Sequence, residues 1–213
     1  MKKIAVLISG QGNNLQALIN ACEKGFISAK IACVVSNKSD AFGLERAKSA
    51  VIPAGVFLRQ NFTNNQEMDR KIGDYLESFE VDLIVLAGYM KILTPEFTQR
   101  FQGKILNIHP SLLPKYAGLN TYQRALEAGD TEHGTTVHFV NEEVDGGAII
   151  LQAKVPIFPD DNVEDIELRT REQEYRIYPM AVKWFIEDRL TLKEGIAYLD
   201  GKPLSEQGYA SDE

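Results

Sequence analysis

Five apolar residues in a row, Ile4-Ala5-Val6-Leu7-Ile8, give way to a polar, glycine-containing stretch, after which Leu15, Leu18, Ile19 and Cys22 recur at helical spacing. A buried strand feeding an amphipathic helix is the expectation. The pattern repeats: Ile31 to Val35 reads as a second strand and Phe42 to Ala50 as a helix. A weaker strand interrupted by proline spans Val51 to Phe57, and a polar helix runs from about Gln66 to Phe79. Leu83 to Ala87 and Ile105 to Ile108 supply two further apolar runs of strand length. Strands alternating with helices imply right-handed crossovers, hence an α/β fold with a mainly parallel sheet and helices on both faces.

The rhythm changes after His109. Pro110 and Pro114 bracket a loop, and a short helix is expected from Tyr122 to Ala128. Thr135 to Val140 and Ala148 to Val155 read as strands, separated by Asn141 to Gly147. That gap is too short for a helical crossover, so a late antiparallel strand pair is predicted. Beyond an acidic run from Asp160, the residues Ile177, Met180, Ala181 and Trp184 mark the apolar face of a long helix, which Pro179 should kink or break. A polar tail follows Leu204. No repeat, linker or low-complexity tract divides the chain, so residues 1–213 are expected to form a single domain.

Composition narrows the function. The 213 residues carry 23 Lys and Arg against 30 Asp and Glu, a formal net charge of −7, which disfavours nucleic-acid partners. No run approaches the roughly 20 apolar residues a membrane span needs. The N-terminal apolar run ends after five residues, too short for a signal-peptide core, and a cytoplasmic location is expected. Cys22 and Cys33 sit in apolar segments and read as packing residues.

Three places could carry chemistry. The first is Ser9-Gly10-Gln11-Gly12-Asn13-Asn14-Leu15, between the first strand and the first helix. Glycines there permit close backbone approach, and the following helix offers N–H groups to an anion such as a phosphate. Leu15 stands where a dinucleotide fingerprint has glycine, and Ser36-Asn37 where it has an acid, so a nicotinamide cofactor is disfavoured. The plainer reading is a tight turn capped by Asn13 or Asn14. The second place is Asn107 and His109, which project to one side of a strand and could together meet an oxyanion and move a proton; a lone structural histidine is the plainer reading. The third is Val144-Asp145-Gly146-Gly147. Asp-Gly is ordinary turn chemistry, yet the glycines would also let Asp145 reach inward, where it would orient His109 and favour its protonated form. His138 suits a supporting or core role and His133 a surface loop. Together with His109 and Asp145 they match no zinc spacing, so no metal is expected.

These segments form one ordered set with Ser36-Asn37-Lys38, Ala41-Phe42-Gly43, Leu86-Ala87-Gly88-Tyr89-Met90, Ser111-Leu112-Leu113-Pro114, Gln173-Glu174 and Tyr178-Pro179. The set resembles the phosphoribosylglycinamide formyltransferases, folate-dependent enzymes of purine biosynthesis, from Lys3 to about Tyr209. The resemblance implies a Rossmann-like fold and formyl transfer from 10-formyltetrahydrofolate to the amine of glycinamide ribonucleotide. It makes Asn107, His109 and Asp145 catalytic, with His109 as general acid and base. Gly12, Asn13 and Asn14 would hold the substrate phosphate and Glu174 its ribose. The folate would lie along Met90, Lys91, Ile92 and Leu93, and against Asn141, Glu142, Glu143, Val144 and Asp145. Asn65 and Lys91 stand where relatives often carry Arg, whose fork would grip a folate carboxylate or carbonyl. The implied partners are small-molecule substrates alone, with no tightly bound cofactor or metal, in a monomer or weak homodimer. A related hydrolase, passing formyl to water, is the alternative.

Overall fold

In the computed structural model, which describes residues 1–209, the first apolar run lies in β1 (Lys2–Ile8), where Ile4 through Ile8 are wholly buried. A strand apolar on consecutive residues must be covered on both faces, as in a parallel sheet between helical layers. The chain continues through α1 (Asn13–Glu23), β2 (Ala29–Ser36), α2 (Gly43–Ser49), β3 (Ala54–Val56) and a 3₁₀ turn at Arg59–Asn61. It then forms α3 (Asn65–Ser78), β4 (Leu83–Leu86), α4 (Pro95–Arg100) and β5 (Ile105–His109). Two compact units result, the first Met1–Asn107 and the second beginning at Ile108.

In the first unit the strand order is β3-β2-β1-β4-β5, and each pairing is parallel. The chain leaves β1 toward β2 and β3, then returns to β4 on the other side of β1. Right-handed crossovers put α1 and α2 on one face and α3 and α4 on the other, and each pair is in contact. The reversal creates a topological switch at the carboxyl ends of β1 and β4, the place where open α/β sheets take ligands. Ser9 ties that end together: its hydroxyl donates to Asn37 Oδ1 at 2.5 Å and accepts from the Met90 N–H at 2.8 Å.

The second unit contains α5 (Thr121–Glu127), β6 (Glu132–Phe139), β7 (Ile149–Pro156) and α6 (Val163–Ile186). The predicted antiparallel pair is β6 with β7, and α6 packs on both. Asn162 and Asp165 start α6 with a reciprocal capping box, at 2.9 and 3.0 Å. Of the kink or break expected at Pro179, the break does not occur, and α6 runs on through it to Ile186. Losing one helical bond and accommodating the ring costs about 3 kcal/mol. Ile177, Tyr178, Ala181 and Val182 around it are fully or almost fully buried, and each large apolar side chain returns about 1.5–3 kcal/mol.

Two features went unpredicted. The short helix α4 has Thr94 as its cap and Pro95 at its first turn, but six residues are too few to display periodicity. The other is a three-stranded antiparallel sheet of β8 (Leu190–Lys193), β9 (Ile196–Leu199) and β10 (Lys202–Pro203). Its two hairpin turns are Glu194-Gly195 and Asp200-Gly201, and all four residues have positive φ. Asp-Gly between alternating residues is the signal that could have revealed it. Of the polar tail expected after Leu204, Tyr209 lies beside β7, donating its N–H to the Ile150 carbonyl at 2.7 Å with its ring edge-on to Trp184; residues 210–213 lie outside the described residues. Among the described residues no helix is long and apolar enough to cross a membrane. Burial pushes the Cys33 thiol up to about 12 and the Cys22 thiol to about 11, so both are inert packing groups.

Candidate active site

β5 ends on His109, which is 7% exposed. Its Nε2 lies 2.8 Å from the Tyr116 carbonyl; a carbonyl only accepts, so Nε2 carries a proton. Its Nδ1 faces Asp145 Oδ1 at 3.5 Å. The other carboxylate oxygen, Oδ2, accepts the Gly118 N–H at 2.9 Å. His138 approaches the same carboxylate from β6, with Nε2 3.9 Å from Oδ1 and Nδ1 donating to the Phe139 carbonyl at 2.8 Å. One carboxylate therefore sits between two imidazoles.

The β6–β7 turn is what brings Asp145 inward. A register shift between Val137 and His138 disturbs the ladder just before the turn, a device that re-aims side chains. Asn141 Oδ1 accepts the Glu143 N–H at 2.9 Å, Gly146 N–H donates to Glu143 O at 3.2 Å, and Asp145 adopts φ 53. Gly147 then passes so close to β6 that a Cβ on it would lie 1.7 Å from the Phe139 carbonyl oxygen. Turn chemistry and an inward carboxylate, alternatives on sequence alone, prove to be one arrangement.

Thr135, on β6, extends the site. Its hydroxyl lies 3.0 Å from the His109 carbonyl and 2.9 Å from Glu174 Oε2, linking the end of β5 to the buried α6 carboxylate. Sequence reasoning missed Thr135, Tyr116 and Gly118: Thr135 and Gly118 meet partners 26 and 27 residues away, and Tyr116 contributes only its backbone carbonyl, which any residue carries. It also misplaced His133. Because β6 starts at Glu132, His133 is a strand residue, 1% exposed, donating Nε2–H to the Pro110 carbonyl at 2.7 Å beside the Tyr122 ring. Asn107 is half-buried on β5, two residues before His109.

Burial pushes the imidazole pKa of both His133 and His138 below the ordinary 6.5. In the unfolded chain each takes up a proton near pH 6.5, whereas the folded protein resists it. Stability from these groups is thus full above about pH 6.5 and is lost as pH falls toward the folded values. Thermal melts between pH 7.5 and 5.5 should show the melting temperature dropping below about pH 6.5, with a shallower drop in His133→Gln. Parallel curves would exclude His133 as a contributor.

In the first unit, Gly12 (φ 73) precedes α1 and no side chain caps the helix; Asn13 and Asn14, the caps of the plainer reading, both lie inside α1. The first N–H groups of α1 are left for another acceptor. Asn14 Oδ1 is buried without a hydrogen-bond partner, and Asn13 Oδ1 accepts from Arg46 at 2.9 Å. Beyond β4, Met90 and Ile92 are exposed apolar side chains, as is Val144 in the β6–β7 turn, whereas Leu93 is buried. The Lys91 ammonium is turned onto the buried Asp69 carboxylate, whose second oxygen accepts the Thr94 N–H at 2.8 Å. Asn65 Oδ1 accepts Arg59 Nε at 2.9 Å, and Arg59 Nη1 also donates to the Phe62 carbonyl at 3.0 Å. Among the described residues no three His, Cys, Asp or Glu side chains are placed to hold a metal ion.

The formyl transferase family model matches residues 2–182. The chain belongs to the formyl transferase family. Phosphoribosylglycinamide formyltransferase of Haemophilus influenzae is 76% identical to it over 212 residues, 100% of each chain. The Escherichia coli enzyme of the same name is 51% identical over 210 residues, 99% of each. The solved phosphoribosylglycinamide formyltransferase of Coxiella burnetii superposes with a TM-score of 0.95 at 43% identity, covering 98% of each chain. Every candidate site residue of this formyltransferase, from Gly12 to Glu174, falls inside the matched segment. The sheet formed by β8, β9 and β10 lies beyond it.

Proposed function

We infer that this formyltransferase moves the formyl group of 10-formyltetrahydrofolate to the primary amine of N1-(5-phospho-D-ribosyl)glycinamide, a step in building the purine ring of IMP. The observation that carries the reading is the His109–Asp145 pair at the end of β5, in a chain 76% identical along its whole length to an enzyme of that name. Hydrolysis of the folate is not favoured, since the full-length relatives at 76% and 51% identity are both named as transferases.

The substrate amine adds to the formyl carbon, forming a C–N bond and a tetrahedral oxyanion. The Asn107 amide and the His109 imidazole meet that oxyanion, and a charged imidazole facing the Asp145 carboxylate is suited to it. The amine nitrogen loses a proton, the folate N10 gains one, and the bond from carbon to N10 breaks. His109 relays the proton, directly or through water. Gly12, Asn13 and Asn14 hold the phosphate at the uncapped start of α1, and Glu174 accepts from ribose hydroxyls. The folate lies on the apolar surface of Met90 and Ile92 and on the turn from Asn141 to Asp145. Purified protein incubated with 10-formyltetrahydrofolate should release tetrahydrofolate only when the ribonucleotide is present. Equal release without it would replace the transferase by a hydrolase.

Asn65 holds the Arg59 guanidinium by Nε, and Lys91 is committed to Asp69; we propose that Arg59 supplies the folate side with the guanidinium absent at position 65. Arg59→Ala should raise the KM for the folate about 5- to 20-fold and leave the KM for the ribonucleotide within about twofold. An unchanged folate KM would remove Arg59 from the site.

A further inference from the structure

The turn from Ser9 to Leu15 is braced by α2. The Gly43 N–H donates to the Gly10 carbonyl at 3.0 Å, and a Cβ on Gly12 would lie 2.8 Å from Gly43 Cα, so the two backbones are in direct contact. This contact carries Arg46, three residues along α2, over the turn. Its Nε donates to the Gln11 carbonyl at 2.7 Å, Nη2 to Asn13 Oδ1 at 2.9 Å and Nη1 to Gln16 Oε1 at 3.4 Å, while the Phe42 ring lies 5.0 Å from the guanidinium carbon. The fork therefore spans the turn from the residue before Gly12 to the first turn of α1.

Two consequences follow for an anion bound there. With its oxygen held by Arg46, the Asn13 amide must turn its NH₂ the other way, as a donor. The guanidinium also places a half-buried positive charge behind the turn, in a chain whose net charge of −7 opposes a phosphate dianion. The first turn of α1 holds no acidic residue to cancel it. We propose that Arg46 is the positioning residue for the ribonucleotide phosphate, fixing the Asn13 amide as a donor and supplying the cation behind the turn. This rests on the reading of Gly12, Asn13 and Asn14 as the phosphate site.

The test compares two substrates, the ribonucleotide and the riboside that lacks its phosphate, in wild type and Arg46→Met. The quantity read is the ratio of their kcat/KM values, with the folate KM measured alongside. A large wild-type ratio that falls about 10- to 100-fold in Arg46→Met, at an unchanged folate KM, is the expected result. Loss of rate on both substrates alike leaves the ratio unmoved; that is the signature of a purely structural arginine and would overturn the proposal. A wild-type ratio near one would instead remove the phosphate reading on which it stands. Should Arg46→Met fail to fold, Arg46→Lys keeps the stem and the charge but loses the fork, and its ratio should still fall several-fold. A wild-type ratio there refutes the role of the fork.

Discussion

Asp145→Asn should lower kcat by about 10³-fold while the protein folds normally and still binds folate. Asparagine has the same shape, and its amide oxygen can go on accepting the Gly118 N–H that Oδ2 accepts at 2.9 Å. The other position then presents an NH₂ group to His109 Nδ1 and His138 Nε2, where the carboxylate oxygen stood at 3.5 and 3.9 Å. A donor there holds His109 in its neutral form with the proton on Nε2 and opposes the imidazolium that the oxyanion needs. Geometry is kept and charge is lost, so the variant isolates the electrostatic part of the mechanism. Steady-state turnover measured with a folate dissociation constant and a thermal melt separates the alternatives. Turnover near the wild-type level would take Asp145 out of the chemistry; loss of folate binding in step with turnover would make it a binding group.

The sheet of the first unit was legible because each strand is a short run apolar on consecutive residues, followed by helical spacing, and that pattern has few other solutions. The late hairpin was legible because Asn141 to Gly147 leaves no room for a crossover. The sheet of β8, β9 and β10 was not read, since Thr191, Lys193 and Lys202 dilute the apolar pattern and only its two short turns, Glu194-Gly195 and Asp200-Gly201, mark it. The helix runs on through Pro179 because the burial of Ile177, Tyr178, Ala181 and Val182 around it outweighs local propensity.

The site divides in the same way. Asn107 and His109 share a strand, so their common side could be read from spacing alone. The meeting of His109 with Asp145 depends on where a turn 36 residues later comes to rest, which no local pattern encodes. His133 could not be placed until the start of β6 was known, because only as a strand residue does it join the run from 133 to 139 that is buried at every position. Arg46 and Arg59 escaped notice because a lone arginine on a short helix or turn carries no signal until its acceptors are seen.

Gly147→Ala tests whether backbone packing sets the catalytic geometry. A Cβ at 147 would lie 1.7 Å from the Phe139 carbonyl oxygen and 2.7 Å from its carbon. Both atoms belong to the main chain of β6, so no rotamer change relieves the clash, and either the β6–β7 ladder or the turn must move. The ladder is held beside this point by the Phe139 N–H to Ala148 carbonyl bond at 2.9 Å, so the turn gives way and takes Asp145 with it. A displacement of about 1 Å at a reacting group costs about 100-fold in rate, and overpacking of this kind costs about 1–3 kcal/mol of stability. Gly146→Ala is the comparison within the same turn: its Cβ would lie 2.7 Å from Glu143 Cβ and Oε2, on an exposed residue of the turn and not on the main chain of β6, so the turn can yield locally. Urea denaturation and kcat/KM on both variants should therefore show a large joint loss at 147 and a smaller one at 146. Wild-type turnover in Gly147→Ala would mean that Asp145 reaches His109 by some route other than the tight passage of the chain at Gly147.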